Sequence, residues 1–271
     1  MIVNGFKSKA AALRAIREAG LDVRYLLSKP DANPKLAKNA KHNVLSLPLH
    51  LAPFNLSGFQ VCPQASAGCA AACLHTAGNP AAMAGKDHAR KERTKAYFKC
   101  RDAFMAVLVF EIQSLCAKAM KLGMKPGVRL NATSDLPWER RTVNIGGHEQ
   151  LLMDAFPEVQ FYDYTKVHKR AMAHARGQMP VNYHLTYSKT EDNDPEVAKV
   201  FTAGGNVSVV MSPERYKEAV RVGKALVCGE IVPVFDGDAH DYRPVEGMSG
   251  AAIVLKAKGD ARHDTSGFVV R

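Results

Sequence analysis

Val44-Leu45-Ser46-Leu47-Pro48-Leu49-His50-Leu51 is the first segment with the signature of a strand. It runs through Asn55 to Gly58 into Cys62-Pro63-Gln64-Ala65-Ser66-Ala67-Gly68-Cys69-Ala70-Ala71-Ala72-Cys73. Apolar residues alternate from Leu45 onward, which sets Leu45, Leu47, Leu49 and Leu51 on one side, and Pro48 assigns the segment to a sheet edge or a strand end. The cysteine loop therefore follows the carboxyl end of the first strand, the place where ligand sites collect in α/β folds.

Half of the six cysteines fall within those twelve residues. Three thiolates from one loop suit a metal centre, and stopping at three leaves a coordination position for a substrate, a cofactor or a fourth ligand. Cys69 and Cys73 are four apart, so a helix through the intervening alanines would bring both thiols to one face. Pro63, Ser66 and Gly68 make the remainder a tight loop that folds Cys62 back over the helix start, and a helix N-terminus lowers a thiol pKa toward the ligating form. Two other readings stay open: three small buried hydrophobes in a core, and a redox disulfide. Pro, Gln, Ser and Gly between Cys62 and Cys69 do not follow a core pattern, whereas Cys100, Cys116 and Cys228 are scattered singly, as core cysteines are.

A chain of 271 residues, 46% hydrophobic and 23% charged, can bury a substantial core. It has the length of one α/β barrel or of two smaller domains, and the expected organisation is a helix and linker over 1–43 followed by a single barrel-like domain over 44–271. No apolar run approaching the ~18 residues of a membrane span and no signal-peptide pattern is evident. The expectation is a cytoplasmic protein with reduced thiols and no membrane partner, a setting that favours metal over disulfides. The net charge of +11 and pI of about 9.4 make polyanions the natural partners, nucleic acid first. Lys86, His88, Arg90, Lys91, Arg93, Lys95, Lys99 and Arg101 crowd one segment, so 86–101 is the expected contact for a nucleic acid or nucleotide.

Residues 7–19 have helical composition with Leu13 and Ile16 on one face and Gly20 as the stop. Residues 29–43 are polar with two prolines and read as an exposed connection. From about Ala81 to Leu122 the pattern is helical with a break near Gly85, its first part basic and solvent-facing, its second apolar from Phe104 to Met120. Beyond, short apolar segments alternate with polar tips and helices: Gly127–Leu130, Val159–Tyr162, Val181–Tyr187, Asn206–Met211, Ile231–Phe235 and Ala251–Leu255. This pattern predicts an α/β fold built as a partial, open, TIM-like β/α barrel of about seven strands behind the N-terminal helical extension. The short, Gly-rich connections between the last two segments suit an antiparallel hairpin.

With all tips at one mouth, Asn131, Thr133, Ser134 and Ser188 would bind a cofactor, with Asp236 and Asp238 beside them. Asp135, Asp163 and Lys166 would supply acid, base and charge. The same Asn, Asp and Ser residues also cap turns and helices. Asp236-Gly237-Asp238-Ala239-His240-Asp241, with its three carboxylates and an imidazole, suits a hard divalent ion or a general base.

Leu49-His50-Leu51-Ala52-Pro53, the cysteine loop with Leu74-His75-Thr76-Ala77-Gly78, Arg129 to Glu139, Phe161 to Lys166 and Lys256-Ala257-Lys258-Gly259 resemble a widespread family of bacteriophage proteins over roughly residues 30–271. A looser similarity is to radical S-adenosylmethionine enzymes, in which three cysteines after the first strand of a partial barrel hold a [4Fe-4S] cluster. The number and position match. The spacing here is Cys-x6-Cys-x3-Cys, where that family has Cys-x3-Cys-x2-Cys; Ala72 stands where an aromatic residue is common, and no Gly-Gly-Glu follows the second strand.

The resulting expectation is an iron-sulfur enzyme with Cys62, Cys69 and Cys73 on a [4Fe-4S] cluster, S-adenosylmethionine as cofactor and a phage nucleotide or nucleic acid as substrate. Two alternatives belong to other classes. One is a nucleic-acid-binding protein with a structural zinc or cluster, His75 being the fourth ligand. The other is a divalent-metal hydrolase or nuclease using Asp236, Asp238 and His240.

Overall fold

The computed structural model describes residues 1–29, 34–73 and 83–271. It is a mixed α/β structure whose main sheet has eight strands in the order β1-β2-β5-β6-β7-β10-β9-β8. These are β1 (Val44–Pro48), β2 (Lys125–Arg129), β5 (Gln160–Thr165), β6 (Tyr183–Ser188), β7 (Val207–Met211), β8 (Lys224–Val227), β9 (Glu230–Asp236) and β10 (Ala252–Lys256), while β3 (Thr142–Ile145) and β4 (His148–Leu151) form a separate antiparallel hairpin. The sheet is mostly parallel, β8–β9 being an antiparallel pair. The chain divides into two compact units, Met1–Cys62 with Pro80–Phe161, and Pro63–Asn79 with Tyr162–Arg271.

In the first unit α5 (Arg101–Lys121) is the central helix. Phe104, Val107, Leu108, Ile112 and Leu115 are buried along it, each worth roughly 1.5–3 kcal/mol against exposure. It is long and apolar enough to cross a membrane, but 61% of its apolar window is buried inside the protein, the position of a core helix. The N-terminal residues pack here too. Ser8 caps α1 (Lys9–Glu18) by accepting from the Ala11 N–H, and the helix buries Ala12 and Ile16, with Leu13 only half-buried. The Glu111 carboxylate on α5 accepts from the backbone N–H groups of Leu26 (3.0 Å) and Leu27 (2.7 Å) and pairs with Lys9 at 2.6 Å.

The polar stretch 29–43 is less of a connection than its composition suggests. It forms α2 (Pro34–Ala37) and a 3₁₀ turn over Lys38–His42, and buried Asn39 donates to Ser46 Oγ on β1 at 3.0 Å; residues 30–33 lie outside the described part. The strand face of β1 also differs from the expected one. Val44, Ser46 and Pro48 are its more buried side, with Leu45 and Leu47 half-buried, because a strand of a parallel sheet is covered on both faces and alternation does not choose between them. Pro48 does sit at the strand end, and β1 at the sheet edge.

The expected break near Gly85 falls instead at Cys100, between α4 (Met83–Lys99) and α5. α4 faces solvent on one side only: Lys86, His88, Lys91 and Lys99 are exposed, whereas Glu92, Arg93, Thr94, Ala96 and Tyr97 are buried. Arg93 Nε donates to the Tyr25 carbonyl at 2.9 Å, and the Arg101 guanidinium lies 3.5 Å over the Tyr97 ring.

In the second unit α6 (His168–Ala175), α7 (Asp194–Thr202) and α8 (Pro213–Val222) accompany the strands, Val197, Val200 and Phe201 packing with Val207, Val209 and Met211 in one core cluster. α8 has its start and stop written in sequence: Ser212 caps it, Pro213 opens it, and Gly223 at φ +74 closes it. The main sheet has eight strands rather than about seven, the additional one being β8. The antiparallel pair is β8–β9, and β9 and β10, expected as a hairpin, are parallel neighbours.

Candidate functional site

In the first unit, β1 and β2 deliver two loops that are sewn together. Thr133 Oγ1 donates to the Leu51 carbonyl at 2.6 Å, the Asp135 N–H to the Val61 carbonyl at 2.8 Å, and the Ala52 N–H reaches Thr94 Oγ1 at 2.8 Å. Cys62 lies on this seam, its Sγ accepting from the Phe54 N–H at 3.4 Å and standing 3.9 Å from the Thr133 carbonyl.

Asn131 organises the second loop. Its Oδ1 accepts from Ser134 Oγ (2.8 Å), the Leu136 N–H (2.9 Å) and Trp138 Nε1 (3.1 Å), and its Nδ2 donates to the Leu136 carbonyl (2.9 Å). Asn131 and Ser134, expected at a cofactor, and Asp135, expected in an acid–base role, are all buried. The Asn131–Ser134 pair builds the turn that holds Trp138.

In the second unit the cysteines Cys69 and Cys73 flank the end of α3 (Ala67–Ala71). Cys69 is inside it and Cys73 lies beyond it, so the expected single helical face for both is not formed. Ser66 caps α3 by accepting from the Cys69 N–H at 3.1 Å. The Glu191 carboxylate accepts in turn from Ser66 Oγ and from the Gly68 N–H. Ala72 packs into a small cluster with Ala257, Ala261, Phe268 and Val269, and Cys69 rests against it. All three loop cysteines are partly exposed, and none of the six cysteines is in a disulfide. His75 lies outside the described residues.

Asp163 is fully buried within β5, one residue before Tyr164, so it faces the side opposite Tyr162 and Tyr164. Tyr183 Oη donates to its Oδ2 at 3.1 Å, and Arg170 Nη2 donates to the same Tyr183 oxygen at 3.1 Å. Lys166 is half-buried just past the end of β5. Ser188 ends β6, where its Oγ accepts from Ser208 Oγ at 3.1 Å.

The acidic run that begins at the end of β9 is held internally. Asp236 Oδ1 accepts from Tyr216 Oη (2.6 Å) and the Asp238 N–H (2.7 Å), and Asp238 pairs with Lys258 at 3.0 Å. Burial and the Asp236 carboxylate push the Tyr216 phenol well above its ordinary range. Among the described residues no group of three or more His, Cys, Asp or Glu side chains is placed to hold a metal ion.

One feature escaped sequence reasoning entirely: a cavity of about 470 Å³ in the second unit, lined by Lys189, Asp194, Cys228, Asp264 and Arg271 among others. Its lining comes from chain segments with no shared motif, so no spacing could signal it. Burial and the Asp194 carboxylate push the Cys228 thiol up to about 12, which leaves it protonated and unreactive.

These elements define a mixed α/β protein with a largely parallel sheet and a cysteine loop following its first strand. A family model described as gene product 88 matches residues 25–271, and the chain belongs to that phage-type family. Comparison with curated proteins and with solved structures gives no match.

Proposed function

We propose that this chain is an iron-sulfur enzyme on an open β/α barrel, with Cys62, Cys69 and Cys73 as ligands of a [4Fe-4S] cluster and a nucleotide or nucleic acid as substrate. The observation that carries this is strand order. β1, β2, β5, β6, β7 and β10 lie side by side in chain order, as successive β-α units do in a barrel wall, and the cysteine loop leaves the first of them. β10 is followed by the β9–β8 hairpin instead of by β1, which favours an open wall.

The donor set suits a soft metal: three partly exposed thiols within twelve residues of chain, one already accepting a backbone N–H. Such a loop gathers its ligands as the metal binds, because thiolate ligation and folding are coupled. When bound beside S-adenosylmethionine, a cluster of this kind supplies one-electron reduction. The chain's own part is to bind and orient: Lys166 and Ser188, at the ends of β5 and β6, offer a cation and a hydroxyl to the cofactor or substrate. The charge of +11, with Lys86, His88, Lys91 and Lys99 exposed along α4, favours a polyanionic substrate.

Anaerobic purification followed by iron and sulfide analysis and a visible spectrum tests this. Brown protein with equal iron and acid-labile sulfide is expected, lost in Cys62→Ala, Cys69→Ala and Cys73→Ala while the far-ultraviolet circular dichroism is kept. Colourless protein carrying stoichiometric zinc would remove the mechanism.

A further inference from the structure

The second unit buries an arginine without a carboxylate. Arg243 is 1% exposed, yet no Asp or Glu oxygen lies within ion-pair distance of it among the described residues. Three bonds fix it in place: Nε donates to Tyr164 Oη at 2.6 Å, and Nη2 donates to the carbonyls of Gly237 (2.8 Å) and His240 (2.7 Å). Nη1 is sealed from solvent with no hydrogen-bond partner. Buried charges are ordinarily paired, and a buried donor left without a partner is expensive, so an arginine in this state is arranged for an acceptor that the chain itself does not supply.

Two further sealed polar atoms point the same way. His184 Nε2 and Thr186 Oγ1 also lack partners, and Thr186 is fully buried. The two residues are two apart on β6 and therefore share a face. Arg243 lies in the connection between β9 and β10 and bonds to Tyr164 on the neighbouring β5; because Tyr183 Oη reaches Asp163 on one face of these strands, Tyr164, His184 and Thr186 share the other. Its charge bears on His184 directly, joining burial and His174 in pushing the imidazole down to about 3. His184 is thus neutral near pH 7, and the guanidinium is the one charge of the group.

We propose that Arg243, Thr186 and His184 form a buried site for an oxyanion, the phosphate or carboxylate of a small molecule. Guanidinium N–H groups and a hydroxyl are the donors such a group requires, and a neutral imidazole adds a donor or acceptor without a second desolvated charge. The three atoms are closed off from solvent, so binding requires a local opening of this region. The site does not involve the cysteine loop.

Isothermal titration of the full chain, without iron, with inorganic phosphate, adenosine 5′-monophosphate and succinate in separate arms tests the proposal. The wild type is expected to bind at least one probe saturably at a single site, and the responding arm tells phosphate from carboxylate. Thr186→Val, which changes shape least, should weaken binding about tenfold, the consequence of losing one hydrogen bond to a charged group. Arg243→Gln should abolish it. No saturable heat from any probe at millimolar concentration overturns the proposal. So does binding that survives Thr186→Val undiminished, which would place the anion on the basic surface.

Discussion

The Glu191 carboxylate accepts hydrogen bonds from the Gly68 backbone N–H and the Ser66 hydroxyl, each at 2.7 Å, and so fixes the first turn of the helix that carries Cys69. A carboxylate at that position satisfies donors that a helix start leaves open. Glu191→Ala should cost about 1–3 kcal/mol, the range for a charge-assisted bond lost from a partly buried site. It should also speed alkylation of Cys69 by iodoacetamide, followed by mass spectrometry. Glu191→Gln, which keeps an acceptor, should restore most of the slow wild-type rate. Equal rates in all three proteins would show that Glu191 does not hold the loop.

Gly68 is the second half of the same arrangement. A Cβ there would lie 2.2 Å from Ser266 Oγ and 2.8 Å from Glu191 Oε2, closer than atoms can approach. Gly68→Ala is therefore expected to lower thermal stability by about 1–3 kcal/mol, as overpacking does, although alanine is the better helix former. Adding Ser266→Ala should recover part of the loss, whereas a Gly68→Ala protein melting at or above the wild-type temperature would contradict the packing.

Where sequence was legible, local chemistry and tertiary context agreed. Ser212-Pro213 and Gly223 bound α8 because cap residues act within a few positions of the chain, and β6, β7 and β10 were found within a residue or two because short apolar runs between polar tips have few alternative uses. The tips are ambiguous for a physical reason. Asn, Ser and Asp shape turns with the same side-chain atoms they would offer a ligand, and at 131–134 the turn has taken them. The β3–β4 hairpin was missed although Gly146-Gly147 at its turn is a recognisable signal, and β8 because Lys224 to Val227 is short and follows a helix without a polar tip. Arg243 was invisible: nothing in a sequence tells a buried arginine from an exposed one.

The Asn131 turn gives a test of that lesson. Asn131→Ala strands the Trp138 indole N–H, the Ser134 hydroxyl and the Leu136 N–H and carbonyl in a buried region, so a loss of several kcal/mol is expected, at about 1–3 kcal/mol for each buried group left unsatisfied. Ser134→Ala removes one of these bonds and should cost about 1 kcal/mol. Chemical denaturation followed by Trp138 fluorescence measures both, Trp138 being the single tryptophan. An Asn131→Ala protein of wild-type stability would return this residue to the list of ligand-binding groups.

Stability should also fall with pH in a window set by His184. Burial, His174 at a ring-centroid distance of 4.8 Å, and Arg243 lower its pKa from 6.5 to about 3, and burial lowers that of His174 as well. Between those two values the unfolded chain binds a proton that the folded chain refuses. Acidification therefore favours unfolding, by about 1.4 kcal/mol per pH unit for a fully shifted histidine. The contribution is intact above pH 6.5 and is progressively lost as the pH falls toward 3. His184→Phe removes the titrating group while keeping an aromatic ring against His174, and should flatten the stability profile between pH 6.5 and 5 relative to wild type. Urea titrations at half-unit pH steps make the comparison; parallel profiles for the two proteins would mean that His184 is protonated at no cost in the folded state, and that the neutral imidazole beside Arg243 does not exist.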